Sequence, residues 1–255
     1  MDDLTPFHPL KLLRHAPRVE ASLRGETVFP ISVEIDLSNS CPHDCPFCSF
    51  GTSKSHGYRQ QNWVTFPAPR MLTLLEEMSA VGVKSITFTG GGEPLVHRAA
   101  AAIFEKASER FEWGVVTNGL LLKGAVADVI AKHAKFVRVS LDAGTPETHH
   151  VTHGLPDGQY QYHQILDNVR ALREKADVSG REERLVIGAS FCVMDENWRE
   201  LYQAAKNVKD HGGDYLEVRP TYPTGMARRW VGHGAVGRES RGGARRTRPC
   251  ASASG

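Results

Sequence analysis

The strongest constraint on the fold is a strand pattern followed by a helix pattern, which the chain repeats along most of its length. Apolar or alternating runs predict six strands, at residues 31–38, 84–92, 111–119, 135–144, 184–194 and 214–223. Helical spacing predicts helices between them, at 68–82, 97–110, 123–134, 160–176 and 197–212. Strands that alternate with helices of this length pair in parallel through right-handed crossovers. The pattern predicts an α/β fold without a sixth helix, as either an open doubly wound sheet or an incomplete barrel.

In both of these folds, ligands bind at the carboxyl ends of the strands. Polar residues and glycines follow five of the six predicted strands in this sequence. These residues are Cys41 to Cys48, Gly90 to Glu93, Thr117 to Gly119, Ser140 with Asp142, and Arg219. Their repeated placement predicts one site at one edge of the sheet.

Composition changes near the end of the chain. Residues 226–255 contain seven Arg, no Lys and one acid, Glu239, although the 255-residue chain has a formal net charge of only +2. This Gly- and Arg-rich stretch lacks periodicity, which is typical of a disordered segment or a non-native end. We therefore expect an N-terminal extension at 1–30, a barrel domain at 31–223 and an irregular tail at 224–255.

Composition also argues against several classes of partner. The body of the chain is mildly acidic, so nucleic-acid binding is not indicated. The sequence has neither an apolar signal-peptide run at its start nor a stretch of about 18 apolar residues, so we expect no membrane partner. Five Cys, three of them clustered, do not form a secreted disulfide framework, and a cytoplasmic location is expected.

Three cysteines lie within eight residues, at Cys41, Cys45 and Cys48. A structural zinc site needs a fourth ligand, such as His43 or His56. A thiol-redox pair would use only the second and third cysteines and would leave the first unexplained. An iron–sulfur cluster with three thiolate ligands keeps one iron open for a small chelating cofactor.

The residues Cys41-Pro-His-Asp-Cys45-Pro-Phe-Cys48 resemble the C-x3-C-x2-C motif of the radical S-adenosylmethionine (radical SAM) superfamily, with an aromatic residue directly before the third cysteine. A second element, Gly90-Gly91-Gly92-Glu93-Pro94 at the end of the second predicted strand, is similar to the GGE(P) element of that family. The resemblance covers roughly residues 30–223.

The resemblance implies a partial (βα)6 TIM-like barrel of parallel strands, with the sixth helix missing or replaced by an irregular tail. It also implies a four-iron four-sulfur (4Fe-4S) cluster on Cys41, Cys45 and Cys48, with S-adenosylmethionine on the open iron. Reductive cleavage of S-adenosylmethionine would yield a 5′-deoxyadenosyl radical that abstracts hydrogen from a substrate. The implied partners are a small-molecule or peptide substrate and a flavodoxin or ferredoxin-type electron donor.

The resemblance further implies cofactor contacts but identifies no catalytic residue. Gly91, Gly92 and Glu93 would bind the amino group of S-adenosylmethionine, and Phe47 would lie near its adenine. Ser140 and Asp142 match a position that contacts the ribose or the carboxylate. Asn118 would line the site, and Arg219 would pair with a carboxylate of the cofactor or of the substrate.

Three further groups of residues lie on or near this edge in the sequence. Loop 53–63, with Lys54, His56, Tyr58 and Arg59, and loop 147–154, with His149, His150 and His153, hold candidate substrate contacts. Cys192, in an apolar strand, is expected to be a small buried hydrophobic residue.

Overall fold

The computed structural model describes residues 13–50 and 64–221. The six predicted strands are all present: β1 (Ser32–Asp36), β2 (Ser85–Thr89), β3 (Glu112–Thr117), β4 (Phe136–Ser140), β5 (Val186–Val193) and β6 (Tyr215–Pro220). The helices are α1 (Ala16–Leu23), α2 (Ala68–Ala80), α3 (Ala100–Ser108), α4 (Gly124–His133), α5 (Pro146–Thr152), α6 (Tyr162–Asp177) and α7 (Leu201–Asp210). Lys54, His56, Tyr58 and Arg59, and the predicted tail at 224–255, lie outside the described residues.

The strands form one sheet in the order β1-β2-β3-β4-β5-β6. Each neighbouring pair is parallel. A doubly wound sheet would reverse its strand order at a switch point, whereas this order advances in one direction throughout. The structure therefore decides between the two predicted architectures in favour of the partial TIM-like barrel. Among the described residues, β1 and β6 do not pair with each other, so the barrel is open along one seam.

Strand alternation divides the sheet into two faces of different chemistry. One face packs against the helices, and its side chains form the hydrophobic core with those of the helices. Within this core, Phe88, Phe104 and Trp113 contact one another, with ring centroids 4.6 to 5.8 Å apart. The opposite, inner face carries polar side chains on β4 to β6, among them Arg138, Ser190 and Glu217. Burial of apolar area thus stabilises the outer layer and leaves the inner face available for chemistry.

Two of the helices in the described residues were not predicted. Helix α1 lies within the expected N-terminal extension, and Arg18 from this helix donates to the carbonyl of Gly82 at 3.1 Å. Helix α5 occupies most of the segment that we expected to be a His-rich loop. Thr145 caps α5 by accepting from the amide of Thr148 at 3.3 Å, and Pro146 begins the helix. A capping Thr followed by Pro and Glu is a helix-start signal, so this helix was detectable in the sequence.

Candidate functional site

The three-cysteine loop follows β1 and is held by hydrogen bonds at its start and in its middle. The amide of Cys48 donates to the carbonyl of Cys45 at 3.0 Å, which forms a tight turn between the last two cysteines. The carbonyl of Ser40 accepts from the amide of Glu93 at 2.8 Å, and the amide of Asp44 donates to the carbonyl of His153 at 3.0 Å. All three cysteine side chains are half-buried, and none forms a disulfide. The loop therefore presents three thiols on a backbone held by two other parts of the barrel.

The glycines after β2 allow this loop to approach the second strand closely. A Cβ atom at Gly92 would lie 2.3 Å from the carbonyl oxygen of Ser40, far inside a normal contact. The amide of Gly91 donates to a carboxylate oxygen of Asp36 at 2.9 Å, which joins the ends of β1 and β2. Glycine is required at position 92 by this close approach rather than by its backbone angles.

Glu93 is 2% exposed and accepts three hydrogen bonds. Its donors are the amide of Leu95 at 3.0 Å, the hydroxyl of Thr117 at 2.7 Å and the amide of Asn118 at 2.7 Å. Burial raises the pKa of Glu93 above its ordinary value, and the three hydrogen bonds oppose that shift. The carboxylate is thus fixed in one orientation between the ends of β2 and β3.

Asn118 connects the end of β3 to the cysteine loop. Its side-chain amide donates to the sulfur of Cys41 at 3.9 Å, while its side-chain oxygen accepts from the amide of Leu120 at 3.0 Å. The structure therefore brings Cys41, Glu93 and Asn118 together, three residues that the sequence assigned to the ends of three different strands.

Ser140 and Asp142 lie at the end of β4. Ser140 is half-buried and pairs in register with Ser190 of β5. Asp142 is fully buried and has a left-handed φ of 52°. It accepts from the amide of Cys192 at 2.6 Å, and burial raises its pKa to about 7. The observed contacts of Asp142 join the ends of β4 and β5, and a contact with the cofactor stays a prediction.

Phe47, Cys192 and Arg219 complete the set that the sequence singled out. Phe47 is half-buried between the second and third cysteines of the loop. Cys192 is half-buried rather than fully buried as we expected, and burial raises the pKa of its thiol to about 12. Arg219, whose side chain is 47% exposed, donates to Glu217 at 2.6 Å on the last strand. The structure thus places Arg219 four strands away from the glycine segment after β2.

Three buried histidines contact one another next to Cys45, and one of them, His43, belongs to the cysteine loop. A hydrogen bond joins Nδ1 of His43 and Nδ1 of His153 at 2.8 Å, and Nδ1 of His153 also lies 3.8 Å from the sulfur of Cys45. His149 stacks on His153 with ring centroids 4.0 Å apart. Burial lowers the pKa of all three histidines, that of His149 to about 3. Sequence analysis placed His149 and His153 at the right edge of the sheet but did not predict their burial, because helix α5 was missed.

His43, Cys45 and His153 also form a group whose potential ligand atoms lie within 4.8 Å of one another. Two nitrogens bound to one tetrahedral zinc ion at about 2.0 Å would lie roughly 3.3 Å apart. The two Nδ1 atoms are instead 2.8 Å apart, which is hydrogen-bond geometry. The two histidines therefore form a hydrogen-bonded pair in this structure.

The partial parallel barrel, with three thiols and a buried glutamate at the carboxyl edge of its sheet, defines an α/β-barrel protein with a sulfur-ligand site. The family model of the Radical SAM superfamily matches residues 35–207, about two thirds of the chain. The chain therefore belongs to this superfamily.

Curated relatives are similar over part of their own length. The sporulation killing factor maturation protein SkfB of Bacillus subtilis (strain 168) is 24% identical over 219 residues, which cover 85% of this chain and 48% of that protein. The GTP 3′,8-cyclase of Clostridium perfringens (strain 13 / Type A) is 29% identical over 113 residues, which cover 43% of this chain and 34% of that protein. The chain thus spans at most about half the length of these relatives.

Solved structures share the fold. Streptococcus suis SuiB bound to S-adenosylmethionine has a TM-score of 0.62 and 17% sequence identity, and the match covers 87% of this chain and 48% of that chain. SuiB bound to precursor peptide SuiA has a TM-score of 0.61 and 17% identity, and this match covers 86% of this chain and 46% of that chain.

No helix within residues 13–50 and 64–221 is both long and apolar enough to cross a membrane.

Proposed function

We propose that Cys41, Cys45 and Cys48 bind one 4Fe-4S cluster and that this cluster binds S-adenosylmethionine at its open iron. The observation that carries this proposal is the loop itself, which presents three thiols and is clamped against Gly92 by close contact. Three thiolates from one loop suit an iron–sulfur cluster, and a fourth iron without a protein ligand suits a chelating cofactor. When bound, the cluster supplies the electron that cleaves S-adenosylmethionine to methionine and a 5′-deoxyadenosyl radical, which abstracts hydrogen from substrate.

The residues of the chain bind and orient the cofactor in this proposal. The Gly91 and Gly92 backbone forms a surface without side chains that a ligand can approach, and Glu93 provides the negative charge for its ammonium group. Phe47 contacts the adenine of S-adenosylmethionine, and Ser140 and Asp142 contact its ribose or its carboxylate. Asn118 orients the sulfur of Cys41 through the 3.9 Å contact. Because Glu93 already accepts three hydrogen bonds, its orientation costs little further entropy when the ligand binds.

For the substrate, a peptide is favoured over a nucleotide, with a small molecule as the remaining class. The relative named for peptide maturation, SkfB, aligns with 85% of this chain, whereas the GTP cyclase aligns with 43%. SuiB, which shares the fold, was solved with a precursor peptide. A flavodoxin or ferredoxin-type protein would donate the electron, and the three half-buried thiols are suited to the reducing cytoplasm.

Anaerobic reconstitution with iron and sulfide tests the cofactor assignment. The wild-type protein should turn brown, absorb near about 400 nm and release 5′-deoxyadenosine from S-adenosylmethionine when dithionite is added. Cys41→Ala, Cys45→Ala and Cys48→Ala should each lose the absorbance and the cleavage. Cys192→Ala is the matched control for cluster binding, because Cys192 lies on β5 and not in the three-cysteine loop, and it should retain the absorbance.

Two results would contradict the proposal. A colourless protein with one zinc ion per chain would favour a zinc-binding role for the same cysteines. A reversible dithiol titration of Cys45 and Cys48 in a metal-free protein would favour a thiol-redox role.

A further inference from the structure

The inner face of the sheet carries an ion cluster that includes Arg219, the residue expected to pair with a carboxylate of the cofactor or of the substrate. Arg138 on β4 donates from Nη1 to Glu217 on β6 at 2.9 Å, and Arg219 donates from Nη2 to the other carboxylate oxygen of Glu217 at 2.6 Å. Two guanidinium groups thus share one carboxylate, which leaves the cluster with an excess of one positive charge. We refer to Arg138, Glu217 and Arg219 as the inner-face cluster.

The strand register places this cluster inside the barrel. On β4, Val137 and Val139 are fully buried in the core, so Arg138 between them points to the opposite face. On β6, Glu217 pairs in register with Ser190 of β5, which pairs in turn with Ser140 of β4. Glu217 is therefore level with Ser140, the proposed ribose or carboxylate contact, while Arg138 lies two residues below this level and Arg219 two residues above it.

Two aromatic residues lie on the inner face next to the lower part of the cluster. The Phe136 ring covers Gly114, where a Cβ atom would lie 2.2 Å from the ring, and the Tyr215 ring covers Gly188, where a Cβ atom would lie 2.1 Å from the ring. Both aromatic residues precede cluster residues by two positions on the same strand, and so lie on the same face. Arg138 is level with Tyr215 and two residues above Phe136, so the cluster extends from these rings toward the carboxyl edge of the sheet.

Arg138 also has unused hydrogen-bonding capacity in a half-buried position. Its side chain is 18% exposed, and within the described residues its Nε–H is buried and has no acceptor. An arginine side chain has five N–H donors, and leaving a buried donor unpaired costs free energy. A carboxylate from a ligand would supply the missing acceptor and neutralise the excess charge.

We propose that the inner-face cluster binds a carboxylate group of the substrate and so selects acidic substrates. This inference rests on the proposed function, because it assigns a substrate group to the same barrel. A substrate carboxylate is favoured over that of S-adenosylmethionine by depth in the barrel. The ammonium group of the cofactor is proposed to bind beside the loop after β2, and Ser140 is proposed to contact its ribose or carboxylate, whereas Arg138 lies two residues deeper in β4 than Ser140.

Equilibrium dialysis with radiolabelled glutarate, a small dicarboxylate probe, tests the assignment on the reconstituted protein with S-adenosylmethionine. Glutarate should bind, and glutaramide, its uncharged counterpart, should not compete. Arg138→Gln should weaken glutarate binding roughly tenfold to a hundredfold, the range for hydrogen bonds to charged groups. Glu217→Gln should tighten binding severalfold, because it removes the internal carboxylate that competes with the ligand. A purely structural ion pair would not produce that increase.

Controls separate the two carboxylates and the two proposals. The affinity for S-adenosylmethionine should be unchanged in Arg138→Gln, and Arg170→Gln, an exposed arginine on the outer helix α6, should change neither affinity. If Arg138→Gln does not fold, glutarate binding by Glu217→Gln still decides whether the inner-face cluster binds a carboxylate. Equal binding of glutarate by wild type and Arg138→Gln, or loss of S-adenosylmethionine binding instead, overturns the assignment. A wild-type protein that binds glutarate but neither takes up a cluster nor cleaves S-adenosylmethionine would refute the proposed function alone.

Discussion

At the scale of single residues, the site depends on the absence of a side chain at Gly92 as well as on the contacts of Glu93. Gly92 has no side chain, and the cysteine loop occupies the space where a Cβ atom would be. Glu93, next in the chain, is buried and accepts three hydrogen bonds from backbone and side-chain donors. The absence of a side chain at Gly92 therefore sets the distance between β2 and the cysteines, and three hydrogen bonds set the orientation of Glu93.

Gly92→Ala tests this close approach. The new Cβ atom would lie 2.3 Å from the carbonyl oxygen of Ser40, so the loop must shift, and we expect a cost of about 1–3 kcal/mol in unfolding free energy and reduced iron uptake. Gly91→Ala is the matched control, because its nearest contact is the Phe50 ring at 3.3 Å. Thermal unfolding and iron content of the two variants provide the measurement. Equal values for both variants would show that the loop does not depend on Gly92.

Asp142 predicts a pH dependence of stability. Its pKa is raised by burial from 3.8 to about 7, so the folded protein holds this proton more tightly than the unfolded chain does. The stabilising contribution is therefore fully present below about pH 4 and is lost as the pH rises to about 7. Asp142→Asn should flatten the pH dependence of the urea midpoint across this window. The same slope in wild type and variant would show that another group carries the effect.

At the scale of elements, a buried arginine joins helix α6 to two strands. Arg173 donates from Nε to the carbonyl of Gly212 at 3.0 Å, from Nη1 to the carbonyl of Leu185 at 2.9 Å and from Nη2 to Asp214 at 2.7 Å. These acceptors lie just before β5 and β6. The arginine therefore fixes the position at which each of the last two strands begins, and hence the register that places Glu217 opposite Ser190.

Replacing Arg173 should strongly destabilise the barrel. Arg173→Met keeps most of the apolar volume but leaves Asp214 and two carbonyls without this partner, so we expect a loss of roughly 3–5 kcal/mol in urea denaturation. The control is Arg170→Ala on the same helix, whose exposed pair with Asp167 at 3.4 Å should contribute less than about 1 kcal/mol. Similar losses for both variants would contradict the joining role of Arg173.

At the scale of the whole molecule, the core and the site occupy different layers. The apolar core lies between the sheet and its outer helices, whereas the cysteine loop lies at the carboxyl edge. The fold should therefore not need a cluster in order to form, although a ligand that binds the folded loop must stabilise it by mass action.

Removing iron by chelation tests this separation. The apoprotein should unfold at a lower temperature than the reconstituted protein, because cluster binding requires the folded loop. Amide hydrogen exchange should increase in residues 38–50, while β2 to β5 keep their protection. Loss of protection throughout the barrel would show instead that the cluster is needed for the core to form.

The sequence by itself determined the positions of the six strands along the chain, the positions of five helices and the loop that carries the three cysteines. These features follow from periodicity and spacing, which are local properties of the chain. The helix after Thr145 also has a local signal, a capping Thr followed by Pro and Glu, although its histidines favour a loop. Strand order around the sheet, in contrast, could not be fixed locally, so two architectures stayed open.

Only the tertiary structure decided which side chains meet. His43 and His153 are 110 residues apart in the chain, and Arg138 and Glu217 are 79 apart. No local sequence pattern predicts either pair. Each contact forms only when the strands pair in parallel and the sheet curves around its inner face. The sequence could place each residue at the end of a strand or on one of its faces. The order of the strands in the sheet then determined which residues became partners. A contact across strands depends on sheet geometry and not on distance along the chain.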